Sequence, residues 1–90
     1  MESEIIDTAA WMLASEWRQR IVRTLEGDKM TTKQIADEMG VEMNRFSRYL
    51  RQLRERDVVE LLVSEDVKKG RYYSLTDHGE RVLDEMEVLD

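Results

Sequence analysis

Ninety residues make one small domain, and 41% apolar residues are enough to fill a single core, which excludes disorder throughout. The absence of cysteine excludes disulfides and thiolate metal sites, and no apolar run approaches the roughly 18 residues of a membrane span. The formal charge of -6 bears on solubility and non-specific binding, so the placement of the charges carries more information than their sum.

There is no proline, low-complexity segment or repeat, so a single domain is expected over residues 1–90. The N-terminus shows no basic-then-apolar leader, which points to a soluble, cytoplasmic protein with no membrane association. Ile6, Ala9, Ala10, Leu13, Trp17, Ile21 and Leu25 recur at spacings of three and four. They predict one long helix, or two joined near Ala14–Ser15, ending before Gly27–Asp28. Residues 1–14 then form a helical extension, and Ser15 is placed to cap a second segment.

In "TTKQIADEMG", Thr31 followed by Gln34 matches a capping box, in which each side chain satisfies an orphan amide of the first turn. Ile35, Ala36 and Met39 form a short apolar stripe, and Gly40 can supply the left-handed residue that ends a helix. Only Gly40, Val41 and Glu42 separate this helix from the next, a spacing that suits a helix-turn-helix.

The next helix, residues 43–56, reads "MNRFSRYLRQLRER" and holds five arginines and one acid, a local charge of +4 in an acidic chain. At about 100° per residue, Phe46, Leu50 and Leu53 point one way, with Met43 and Tyr49 at the edges. Arg48 and Arg51 point the other way with Asn44 beside them, and Arg45, Ser47 and Gln52 widen that polar arc. Arg54 and Arg56 fall nearer the apolar border, where their stems can cover core.

After Asp57 the period becomes extended. "VVELLV" and "RYYSL" predict two strands of a hairpin with its tip around Glu65 to Gly70, and Tyr73 is expected inward with Leu75. Thr76 is placed to cap a last helix over 76–89, whose stripe is Val82, Leu83, Met86 and Leu89. From Arg71 to the C-terminus two arginines face six acids, a charge of -4, so the molecule should be electrically two-sided.

Helices, a two-stranded hairpin and a closing helix in this order resemble the winged helix-turn-helix, an α+β, mainly α fold with a three-helix core. The chain looks similar to small archaeal and bacterial transcriptional regulators of the arsenic-repressor-like and multiple-antibiotic-resistance-repressor-like groups. Ile35, Ala36, Glu38 and Gly40 carry the likeness in the first helix of the motif. Ser47, Tyr49, Leu50 and Leu53 carry it in the second, and Tyr73, Leu75, Thr76 and Gly79 in the passage from wing to last helix. Two positions depart from the pattern: Glu42 stands where Ser or Thr usually opens the recognition helix, and Asp57 where glycine is common.

The resemblance implies sequence-specific binding to double-stranded DNA, with helix 43–56 in the major groove and a wing, residues 64–71, on the backbone. Arginine can bind a guanine edge bidentately and asparagine or glutamine an adenine edge, while serine reaches phosphate. The expected contact set is Thr32, Lys33, Asn44, Arg45, Ser47, Arg48, Arg51 and Gln52, with Lys68, Lys69 and Arg71 on the wing. A homodimer is expected, with the first and last helices as candidate interfaces; packing within the monomer competes for the same stripes. The other reading is a winged-helix protein-interaction module of a transcription or other assembly, in which the arginines meet carboxylates.

Catalysis is not expected, since no phosphate-cradling glycine loop or clustered acid pair is present. Neither a cofactor, a metal nor a small-molecule ligand is expected. His78 is the sole histidine and reads as a surface side chain, while Trp17 reads as core and Trp11, slightly off the stripe, as either core or an exposed residue at a partner surface.

Overall fold

The computed structural model describes residues 2–62 and 71–89, so the expected hairpin tip, with Lys68 and Lys69, lies outside the described residues. The first periodic stretch is two helices, α1 (Glu2–Leu13) and α2 (Glu16–Thr24). The break falls at Ser15, whose hydroxyl accepts the Arg18 amide from an extended backbone, as an N-cap does. Helix α3 (Thr32–Met39) opens on the expected reciprocal box of Thr31 and Gln34, and Gly40 closes it at φ +69°. There Val41 N–H donates to Ala36 O and Gly40 N–H to Asp37 O, the paired bonds of a Schellman motif.

The expected recognition helix is shorter than its periodicity suggests. Met43–Arg45 form a 3₁₀ turn, and α4 proper spans Ser47–Glu55. Glu42 makes no side-chain bond to the exposed amides, so the tighter turn takes the place of a cap. The far end repeats the Schellman pattern: Val58 N–H donates to Leu53 O and Asp57 N–H to Arg54 O. Asp57 sits at φ +60°, the one described non-glycine residue with positive φ, where the related pattern places glycine.

Strands β2 (Val59–Leu62) and β3 (Tyr72–Leu75) pair antiparallel with Leu61 opposite Tyr73, as the hairpin reading requires. A third strand, β1 (Met30–Thr31), pairs with β3 on its other side, so the sheet order is β1-β3-β2. Two residues carry no periodicity, which is why sequence alone does not reveal β1. Helix α5 (Asp77–Leu89) starts where the Thr76 hydroxyl accepts the Gly79 amide and donates to Asp57 O at 2.6 Å. A Cβ at Gly79 would collide with the Val58 carbonyl oxygen, so only glycine lets α5 approach the chain entering β2 this closely.

The core joins Met12 of α1, Ile21, Val22 and Leu25 near α2, Ile35 of α3, Phe46, Leu50 and Leu53 at α4, and Val82 and Met86 of α5. Tyr73 and Leu75 pack against it from β3, as expected of the inward strand face. Among the described residues, helices α1 and α5 make the most extensive pairing of elements. Ala9, Met12, Val82, Leu83 and Met86 are thereby buried within the monomer. Packing inside the chain thus absorbs most of both stripes that had suggested an interface, leaving Ile6, Val88 and Leu89 exposed. No described helix is long and apolar enough to cross a membrane.

Candidate nucleic-acid interface

Phe46 and Leu53 are fully buried and Leu50 nearly so, and that packing fixes which side of α4 faces outward. Asn44, Arg45, Ser47, Arg48 and Arg51 are all exposed on the opposite side, with Lys33 exposed on α3. Arg71, next to β3, is exposed as well, whereas Thr32 is half-buried at the start of α3.

Gln52 departs from the expected arc. It is half-buried, and its Oε1 accepts Arg18 Nε at 3.4 Å and Nη2 at 3.2 Å. Arg18 Nη1 also donates to the Trp11 carbonyl at 2.9 Å, so this one side chain ties α1, α2 and α4 together. Helical phase puts Gln52 near the polar arc; a neighbouring helix turns its amide inward.

The aromatic residues arrange the arginines around them. The guanidinium carbons of Arg18 and Arg56 lie 3.9 Å and 4.5 Å from the Trp11 ring centroid, in cation–π contact. Trp11, open from sequence to either core or a partner surface, is half-buried and engaged by two cations of its own chain. Trp17 stacks on Tyr49 with centroids 5.8 Å apart and planes 2° from parallel, which locks α2 to α4. The Arg48 guanidinium carbon lies 5.5 Å from the Tyr49 ring centroid, and the residue remains exposed. Arg20 donates to the Met39 carbonyl at 3.0 Å and serves the junction of α2 with α3.

Sequence reasoning left Arg54 and Tyr73 out of the contact set. They line an open niche with Thr32, Ser47, Leu50 and Arg51, between the start of α3, α4 and the sheet. Two guanidiniums and three hydroxyls meeting at one concavity suit a tetrahedral oxyanion. A signal existed in part: Arg54 is three residues from Arg51, on the same side of the helix. Tyr73 offered none, because its strand reaches the niche only through tertiary packing. Lys29 lies 5.6 Å from the Tyr72 ring centroid and covers the outer strand face.

No group of three or more His, Cys, Asp or Glu that could hold a metal occurs among the described residues. His78, half-buried in the first turn of α5, has no such cluster about it.

Solved structures share this architecture. The chain is similar to diamide-treated YodB from B. subtilis, with a TM-score of 0.82 at 19% identity, over 92% of this chain and 83% of that one. The AntR antimony-specific transcriptional repressor gives 0.75 at 19% identity, over 92% and 71%. Zinc-responsive ZitR of Lactococcus lactis, a MarR family member, gives 0.71 at 18% identity, over 82% of this chain and only 51% of its own length. At these identities the likeness is one of fold: the chain is a winged helix-turn-helix. No curated protein matches it by sequence. The family described as the HVO_A0261 N-terminal domain matches residues 6–90, from within α1 through the motif, the wing strands and α5, and the chain belongs to that family.

Proposed function

We propose that this chain is a sequence-specific DNA-binding transcriptional regulator that lays α4 in the major groove and its wing along the backbone. The observation that carries the reading is the unbroken exposed row Asn44, Arg45, Ser47, Arg48 and Arg51, held outward by a buried Phe46, Leu50 and Leu53. Those side chains are the types that pair with guanine and adenine edges and with phosphates. Lys33 and Thr32, the Arg51–Arg54 niche and Arg71 suit backbone phosphates on either side of the groove, and Lys68 and Lys69 extend the wing's positive charge in sequence. Regulation is steric: the bound protein occludes or marks its site and performs no chemistry. Repressors among the solved structures of this fold are consistent with that role.

The protein acts as a homodimer in this reading. Ile6, Val88 and Leu89 remain exposed along the outer side of the α1–α5 pair, and Val88 at 76% is the most exposed large apolar residue described. Two-fold pairing would cover this strip and set two recognition helices at a fixed spacing. Sedimentation across a range of concentrations tests it, and a monomer throughout would refute pairing.

The test of DNA binding is fluorescence anisotropy with DNA from the protein's own upstream region against scrambled DNA, over a range of salt. Preference for the native fragment, with affinity falling steeply as counterions are released, is the expected result. Arg48→Ala should weaken specific binding roughly tenfold while leaving folding unchanged. Absence of binding to either DNA at low salt would instead direct the arginine face to an acidic protein partner.

A further inference from the structure

Met43 is the exposed large apolar residue of the helix-turn-helix, at 48%. Its main chain is nevertheless tied down: Met43 is the first residue of the 3₁₀ turn, and its carbonyl accepts the Phe46 amide at 3.4 Å. Phe46, three residues on, is fully buried and anchors the turn. The side chain is therefore held out to solvent, immediately beside exposed Asn44 and Arg45.

The other exposed large apolar residues lie on different elements: Ile6 on α1, Val88 and Leu89 on α5, and Leu62 at the end of β2. Met43 stands apart from them on the polar, positively charged surface. It lies in the 3₁₀ turn next in sequence to exposed Asn44 and Arg45. The occupant must suit an apolar tip among hydrogen-bonding neighbours. On the major-groove edges of DNA the apolar group is the C5-methyl of thymine, flanked by the donors and acceptors of the bases. Methionine is unbranched and polarizable, and it adapts to such a contact.

We propose, building on the DNA-binding reading above, that Met43 packs on a thymine methyl group and makes the head of α4 specific for A·T pairs, with Asn44 reading adenine alongside. Met43 then acts as a specificity residue without supplying charge or a hydrogen bond. Its contribution is independent of salt, unlike that of Arg48 or Arg51.

The experiment begins by selecting duplexes from a random-sequence pool with the full chain. Binding is then measured by anisotropy with each thymine of the selected duplex replaced in turn by uracil, which lacks the methyl group. Wild-type protein should lose about fourfold in affinity at one or two thymines, the worth of one buried methyl group. Met43→Ala should be indifferent to uracil at those positions, whereas Met43→Leu should keep the sensitivity. Both variants should stay folded, since Met43 is not one of the buried core residues. Wild-type indifference to uracil at every position, with sequence-specific binding intact, would overturn this assignment alone. Undiminished sensitivity in Met43→Ala would also overturn it, placing the methyl against another residue. A pool that yields no preferred sequence would remove the DNA-reading function, and this assignment with it.

Discussion

Helix α3 opens on a closed local circuit, in which the Thr31 hydroxyl accepts the Gln34 amide at 3.1 Å and Gln34 Oε1 accepts the Thr31 amide at 2.9 Å. Helix α4 instead opens through a 3₁₀ turn with no side-chain cap at either Glu42 or Phe46. Their far ends are alike, each closed by paired Schellman bonds around a left-handed residue, Gly40 or Asp57. The contrast separates two tasks within one motif. The start of α3 commits Thr31 and Gln34 to its own backbone and supports the fold. The turn leading into α4 commits none of them, so Met43, Asn44 and Arg45 all remain exposed, and α4 is held by its buried face and its C-terminal closure.

The comparison can be broken most severely at the buried face of α4. Leu50→Ala should cost about 2–5 kcal/mol, because the cavity opens between α4 and the rest of the core. Chemical denaturation showing wild-type stability for Leu50→Ala would refute the inward assignment. At the capped start of α3, Thr31→Ala should cost about 1 kcal/mol, read from the shift of the urea midpoint. Asp57→Gly should stabilise by about 0.5–1 kcal/mol, since glycine reaches the left-handed region without the Cβ penalty. A drop in melting temperature for Asp57→Gly would mean that the Asp side chain has a local role that outweighs this strain. The smallest effect is expected for Glu42→Ala, within about 0.5 kcal/mol of wild type, because no cap bond is lost. A loss as large as that of Thr31→Ala would erase the distinction between the two helix starts.

Most of the fold is legible where a few neighbouring residues settle the matter. Ser15 marks the break between α1 and α2, Thr31 and Gln34 mark the start of α3, Gly40 its end, and Thr76 the start of α5; each acts through hydrogen bonds to backbone a few residues away. The outward row of α4 is equally legible, because burial of Phe46, Leu50 and Leu53 leaves their opposites exposed. Gln52 is where phase misleads: its position lies near the polar arc, but Arg18 of α2 claims its amide oxygen. The surroundings of Trp11 are likewise not local, since the two arginines over its ring lie seven and forty-five residues further along the chain.

By itself, the sequence determined the order of helices and strands, the helix stops that local hydrogen bonds enforce, and the concentration of arginine on one helix of an acidic chain. Hydrophobic periodicity and capping are short-range, so the chain carries them without knowing its own tertiary contacts. Tertiary structure alone decided that β1 joins the sheet and that the apolar stripes of α1 and α5 bury one another. It also decided that Gln52 turns inward, that Tyr73 and Arg54 share a niche with Thr32, and that Met43 points outward from a tightened turn. Each of these depends on which distant side chain or backbone arrives alongside, and no local pattern encodes that arrival.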